Sequence, residues 1–442
     1  MADDWLWATA ADLGRGIGAG EIDPVELTEA YLAAARSHPV AGRVYARLTE
    51  ARALAEAGAA RQRAKDGVRA GPLDGVPISW KDLFDTAGDG TEAGTALLKG
   101  RVPEQDAECL AAATAHGLVC LGKTHMTELA FSGLGLNPIT QTPPCVNDAE
   151  AVPGGSSSGA ATSVAFGLAA AGIGSDTGGS VRIPSVWNDL VGLKTTSGLI
   201  SLNGVVPLCA TFDTVGPLCR SVEDASLVLE AMTGIGTDLT GADLSGRRFA
   251  VCKTVAMDDL DGPVSKGFEQ ALDRIAKAGA KIDEIEIPAV AAAMGDSAVL
   301  FTVEAYAQWQ DEIEARGDVM FDEVRRRFEA GRGFSGIEYV RALKKMMRLR
   351  QDYLVQTAGY DAVLAPTTPI LPPNVKRLSE DSDYFVRSNL LALRNTRIGN
   401  LMGLCALTLP TGVPSTGLMM LANPMSERQV LRLGAAAEKH LG

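Results

Sequence analysis

The 442-residue sequence predicts an α/β protein built as one large domain. Short apolar runs alternate with helical stretches between residues 71 and 150, a strand, helix, strand rhythm that implies parallel pairing. Apolar residues make up 46% of the chain against 21% charged, the balance of a globular protein with material for a sizeable core. Neither an internal repeat nor a low-complexity linker interrupts it, so the length is read as one domain.

Residues 8–64 read as mainly helical. In IDPVELTEAYLAAARSH, Asp23 is the N-cap candidate, Pro24 takes the first helical position, and Leu27, Tyr31 and Ala34 form an apolar stripe. An alanine-rich helix is expected from roughly Leu48 to Lys65, as a cover for the sheet. VPISW, ending just before Lys81, reads as a buried strand, CLAAATAHG as a helix and GLVCLGK, ending at Lys123, as the next strand. The loop from Thr127 to Leu136 would then line a cleft. The segment from Gly154 to Gly192 is dense in small residues: Gly159 to Ala171 reads as a helix close-packed on the sheet, GIGSD as a strand end and DTGGS as the turn into another helix. Further on, SGRRFAVCKT and YDAVLAP read as strands, SKGFEQALDRIAKAGAKI as an amphipathic helix, and Val299 to Thr357 as long charged helices. RNTRIGNLMGLCALTLP brings Arg394, Arg397 and Asn400 toward the sheet edge.

Chemistry concentrates in the small-residue segment. Gly178 and Gly179 leave backbone N–H groups unshielded beside the Ser180 hydroxyl, as an oxyanion hole for acyl transfer requires. A serine nucleophile needs a base, and of the four histidines only His125 falls near other motif residues. Lys81 is the better candidate, because a lysine at the end of a buried strand loses its charge to desolvation. A relay hydroxyl from the GGSSSG loop would bridge it to Ser180, in the manner of the Ser-Lys variants of the serine triad. Taken alone, GGSSSG reads equally as a flexible loop or a helix N-cap; its company, GSDTGGS downstream and Lys81 upstream, gives it a chemical meaning. A helix starting just after Ser156 would point its positive end at the reaction centre.

GVPISWKD, LGKTHMTELAFSGLGLNP, VPGGSSSGAA, GIGSDTGGSVRIP and TFDTVGPLCRSVEDA together resemble the amidase signature family, serine hydrolases that cleave carboxamides with a Ser-cis-Ser-Lys triad. The resemblance covers nearly the whole chain, through LAPTTPILPP and GNLMGLCALTLPTG. It implies a mixed, mainly parallel central sheet covered by helices on both faces, in a domain spanning 1–442. Within that domain, 1–65 would be N-terminal helices, 66–235 the catalytic core and 240–360 a variable helical region carrying the substrate pocket. It makes Ser156, preceded by a cis bond, the relay; Ser180, 24 positions on, the nucleophile; and Lys81 the base. The backbone N–H groups of Thr177, Gly178, Gly179 and Ser180 would form the oxyanion hole, Ala130 would set its carbonyl near the scissile amide, and Asp176 and Arg182 would brace the loop. Tyr306, Trp309 and Arg332 are the pocket candidates. The expected substrate is a small-molecule amide, with no metal and no cofactor; the alternative is the ammonia-supplying glutaminase component of a tRNA-dependent amidotransferase, its A subunit, working with a partner. GLKTTSG, QTPPC and the tail GLMMLANPMSERQVLRL depart from the family pattern near the cleft, which bears on the substrate rather than on the chemistry.

A net charge of −13 argues against nucleic acid as a partner, and the Arg325, Arg326, Arg327 run, set among Asp322, Glu323 and Glu329, reads as a solvated helix face. Neither phosphate-loop motif is present in the form a nucleotide-binding module requires. The start MADDWLWATAADLG lacks the pattern of a signal peptide, the small-apolar run from Ala160 to Gly174 is too short for a bilayer, and seven scattered cysteines suit a reducing compartment. A cytoplasmic protein is the expectation, with Cys145 and Cys405 as buried small hydrophobes and a homodimer on general grounds.

Overall fold

Eleven strands form one continuous sheet in the structure, a computed structural model that describes residues 2–441. In chain order they are β1 (Tyr45–Leu48), β2 (Pro77–Lys81), β3 (Val119–Thr124), β4 (Ala171–Ser175), β5 (Val191–Lys194) and β6 (Val215–Cys219). They continue with β7 (Arg248–Cys252), β8 (Lys281–Ile285), β9 (Ala362–Pro366), β10 (Cys405–Pro410) and β11 (Gly417–Ala422). Across the sheet the order is β1-β3-β2-β4-β6-β5-β10-β11-β9-β7-β8. Every residue of β2, β3, β4, β5, β6, β9 and β11 is buried, so helices cover both faces along the middle. At one edge β8, with the sequence KIDEI, is largely exposed, and its charges discourage further strand addition.

The sheet is mixed, as expected, but its parallel share is smaller. Parallel pairing is confined to two triplets, β3-β2-β4 and β9-β7-β8. Between them β4, β6, β5, β10, β11 and β9 pair antiparallel, as do β1 and β3 at the edge. Only residues 411–416 separate β10 from β11, too few for a parallel crossover.

The helices follow the sequence closely where caps are explicit. Asp23 accepts from the N–H groups of Val25 and Glu26 and starts Pro24–Ser37. Other boundaries move. The helix expected to run through Ile282 ends at Lys277, because Gly279 (φ 100°) turns the chain and the remaining residues enter β8. Likewise the helix expected over Gly159–Ala171 is Ser158–Ala165; Gly167 (φ 69°) follows it and Ala171 opens β4. Strand β1 lies inside the stretch read as helical, and the second helix starts after it, at Glu50.

Helix Ser158–Ala165 packs close because glycines lie at its contacts, Gly172 of β4 against the helix backbone and Gly159 of the helix against the backbone at His125 and Val44. A Cβ on Gly172 would sit 2.5 Å from the Ala160 carbonyl oxygen, and one on Gly159 2.6 Å from the oxygens of His125 and Val44. Gly172→Val should therefore force the helix off the sheet and cost about 1–3 kcal/mol. A lower denaturation midpoint against wild type is the expected result, with activity falling in parallel.

Candidate active site

Lys81 is the last residue of β2, where alternation puts it on the same face as Ser79. Ser79 Oγ lies 2.7 Å from Ser163 Oγ, which places helix Ser158–Ala165 over that face. Lys81 is completely buried, and its Nζ donates to two hydroxyls, Ser156 Oγ and Ser175 Oγ, each at 2.7 Å. No carboxylate hydrogen-bonds to it among the described residues. Burial therefore dominates and lowers its pKa to about 7, against the weaker upward pull of the Asp213 and Asp176 charges.

Ser156 follows a cis peptide bond from Gly155. The loop has no spare room: a Cβ on Gly155 would lie 2.6 Å from both the Gly135 nitrogen and Thr127 Oγ1. Backbone bonds fix it on both sides, from Gly155 N to Gly133 O (2.9 Å), Thr127 N to Ser156 O (3.1 Å) and Ser157 N to Ser180 O (3.2 Å). The last of these ties the loop to the segment that ends in Ser180.

That segment turns out of β4 at Asp176. The Asp176 carboxylate accepts from Arg182 Nε (3.0 Å) and Nη2 (2.9 Å), from Asn400 Nδ2 (3.0 Å) and from the Val181 N–H (3.2 Å). Burial alone would raise its pKa, but the Arg182 charge and hydrogen bonds prevail and hold it at about 2. Arg182 in turn donates to the Thr396 carbonyl (2.6 Å) and Asn400 Oδ1 (2.7 Å), so both ends of this buried pair are satisfied. Thr177 Oγ1 donates to Asp213 Oδ1 (2.5 Å), and Thr396 Oγ1 donates to the Gly178 carbonyl (2.7 Å). Gly179 has φ 144°, and a Cβ there would lie 2.2 Å from Thr396 Oγ1, so no other residue fits. Among the described residues the N–H groups of Thr177, Gly178, Gly179 and Ser180 have no protein acceptor, and the Ser180 hydroxyl makes no hydrogen bond.

Of the residues singled out from sequence, Lys81 and Ser156 are in direct contact, Ser180 is joined to their loop through the backbone, and Asp176 and Arg182 brace the turn. Ala130 (φ 60°) borders a small compartment together with Phe131, Thr177, Gly178 and Ser180. Phe301, Arg327 and Arg397 line this compartment and also a larger cavity of about 320 Å³. Tyr306, Trp309 and Arg332 line neither. Trp309 donates to the Pro207 carbonyl, while the hydroxyl of buried Tyr306 donates to Glu314 and accepts from Arg332, both of them solvent-exposed. The pocket is built instead from 297–302, 323–327 and 382–397, so part of it lies beyond 240–360. Arg397 and Asn400 reach the site; Arg394 borders an outer hollow.

The arginine run needs correction too. Arg325 and Arg326 do pair with acidic neighbours, but Arg327 turns inward. Its spacing from buried Val324 and Phe328, at i+3 and i−1, puts it on the apolar face, which the sequence pattern could have revealed. Ser175, Asp213 and Thr396 are not singled out by sequence, although each lies within a quoted stretch: Ser175 in GIGSD, Asp213 in TFDTVGPLCRSVEDA and Thr396 in RNTRIGNLMGLCALTLP. His125 sits behind the loop, its backbone bonded to Val44 and Gly159, and burial lowers its ring pKa to about 4. All seven cysteines are buried and unpaired. No group of three or more His, Cys, Asp or Glu that could hold a metal occurs among the described residues, and no single helix there is long and apolar enough to cross a membrane.

Comparison with known proteins places this geometry in a family. The chain is 33% identical to 2-amino-5-chloromuconic acid deaminase of Comamonas testosteroni over 89% of its length and 87% of that protein's. It is 32% identical to the A subunit of glutamyl-tRNA(Gln) amidotransferase from Anaeromyxobacter dehalogenans, covering 98% of this chain and 96% of the relative. Its fold matches the crystal structure of the native peptide amidase of Stenotrophomonas maltophilia with a TM-score of 0.85 at 28% identity, over 98% of this chain and 97% of the other. The Amidase family model matches residues 26–431, and the chain accordingly belongs to the amidase family of carbon–nitrogen hydrolases.

Proposed function

We propose that this chain hydrolyses a small-molecule carboxamide through an acyl-enzyme on Ser180, with Ser156 as proton relay and Lys81 as base. The observation that carries the reading is the completely buried Lys81 amine, bonded to Ser156 Oγ at 2.7 Å and lowered to a pKa of about 7 by burial. An amine that is neutral near pH 7 takes a proton, whereas an ammonium does not.

In this reading the Ser180 oxygen attacks the amide carbon as its proton passes to Ser156 and that of Ser156 to Lys81. The carbonyl oxygen gains negative charge opposite the unpaired N–H groups at 177–180, which need no reorganisation to receive it. Collapse breaks the carbon–nitrogen bond, and the proton returns through Ser156 to the leaving ammonia or amine. Water then attacks the acyl-enzyme by the same relay, releasing the carboxylic acid and restoring Ser180. Asp176 and Arg182 take no part in proton transfer; they hold the turn that presents Ser180.

A second reading, the ammonia-supplying component of a tRNA-dependent amidotransferase, draws support from the relatives of that name. Ammonia release from simple amides by the purified chain alone supports the first reading. Glutaminase activity that requires a partner protein, with none on other amides, overturns it.

Two further outcomes are expected. Ser180→Ala and Lys81→Ala should each lower amide turnover by roughly a thousandfold or more while thermal melts still show a folded protein; retained turnover in either removes the triad. Because Lys81 acts in its neutral form, log kcat/KM should rise with unit slope toward a pH of about 7 and level off above it. A profile that falls across this range contradicts the base assignment.

A further inference from the structure

Two arginines in the pocket lack the partners that every comparable arginine in the chain has. Arg182 is saturated by Asp176, Asn400 and the Thr396 carbonyl, and Arg220 by backbone carbonyls that include those of Ala8 and Val164. Arg327 and Arg397, by contrast, make no hydrogen bond and no ion pair among the described residues. Arg327 Nε is buried without a partner, and the guanidinium lies 4.6 Å from the Phe131 ring centroid. Arg397 is only 8% exposed. The one carboxylate lining the 320 Å³ cavity, Glu323, pairs with Arg326 at 3.5 Å, so it neutralises neither.

Unpaired buried charge is costly, and two like charges close together raise that cost. Burial and the nearby Arg397 charge lower the Arg327 pKa to about 9, which still leaves it protonated at neutral pH. The pair therefore presents two unpaired guanidiniums, a chemistry that recognises an anion. Forked guanidiniums match the planar, two-oxygen geometry of a carboxylate. Both arginines border the Ser180 compartment as well as the larger cavity, so a group held between them lies close to the reacting carbonyl.

Resting on the amidase reading above, we propose that Arg327 and Arg397 form a carboxylate-binding subsite that selects amides carrying a carboxylate a short distance from the scissile carbonyl. The apolar wall of Phe301, Phe385, Val386 and Leu390 accepts the carbon chain between or beyond the two groups.

The test separates this subsite from the chemistry. Ammonia release is measured with malonamate and succinamate against propionamide and butyramide, and the binding of succinate and of inorganic phosphate is measured by calorimetry on wild type and on Ser180→Ala. The expected result is a kcat/KM at least about tenfold higher for the carboxylated amides, with succinate binding preserved in Ser180→Ala. Arg327→Met and Arg397→Met should each raise KM for the carboxylated amide and weaken succinate binding about tenfold or more, with a smaller change in kcat. Arg397→Lys, which keeps the charge and loses the fork, should fall between. Melting curves identify any variant that fails to fold. Succinate binding that depends on both arginines, in a protein that cleaves no amide, supports the subsite and overturns the amidase reading alone. Equal or better turnover of the neutral amides, phosphate binding tighter than succinate, or succinate binding unchanged in both arginine variants overturns the subsite.

Discussion

A lysine amine sealed from water with only hydroxyls for company is the constraint the rest of this site obeys. Lowering a lysine from its ordinary 10.5 to about 7 corresponds to about 5 kcal/mol of differential interaction, of the order of a whole domain's net stability. The fold meets that demand by letting the amine shed its proton rather than by supplying a counter-ion. A carboxylate in hydrogen-bonding contact would undo this, and Asp176 stands near enough for its charge to act on Lys81. Arg182 and Asn400 occupy that carboxylate instead. The Asp176–Arg182 pair thus shapes the turn into Ser180 and keeps that carboxylate out of hydrogen-bonding contact with Lys81, while the Asp213 and Asp176 charges pull the amine upward more weakly than burial pulls it down.

Holding those groups together takes residues far apart in the chain, and the antiparallel middle of the sheet is what assembles them. Lys81 and Ser175 stand at or near the carboxyl ends of neighbouring parallel strands, β2 and β4. Thr396 and Asn400 reach the same turn because β10, which follows them, enters the sheet beside β5. Glycines at 159, 172 and 179 clear the approaches, each where a Cβ would collide with a neighbouring atom. Glu128 adds a tie from the other side. It accepts from Thr95 Oγ1 (2.7 Å) and the Phe321 N–H (2.8 Å), while burial raises its pKa to about 7. Through it the loop bearing Ala130 is fastened to the segment just before Arg327.

What the sequence made legible was whatever acts within one contiguous stretch. The cap at Asp23, the strands around Lys81 and Lys123, the glycine pair before Ser180 and the GGSSSG loop each carry their meaning in adjacent residues. Boundaries in the small-residue segment did not, because Gly and Ala suit a close-packed helix and a buried strand alike; hence the helix that stops at Ala165 instead of running into β4. The central antiparallel pairs were hidden for another reason, since the sheet order is not the chain order: β5 finds β10 from more than two hundred residues away, and β9 pairs with β11 rather than with β10. Most instructive is the pocket. Tyr306 and Trp309 carry the residue types that suit a binding site, yet they face away from it, and the inward position belongs to an arginine in what composition called a solvated run.

That arginine shows why overall charge says little about a ligand. The chain carries −13, and an anion approaching it meets a repulsive surface on average. At physiological ionic strength, however, such a field fades over about 8 Å, so beyond the first layers of solvent the surface charge hardly reaches a diffusing molecule. Inside the cleft screening fails and contact distance decides. There Arg327 and Arg397 make no ion pair among the described residues, the nearby Glu323 being taken by Arg326, and the buried Nε of Arg327 offers a hydrogen bond strengthened by desolvation. The sign of the charge that matters is thus set by two side chains beside Ser180, against the sign of the other four hundred residues.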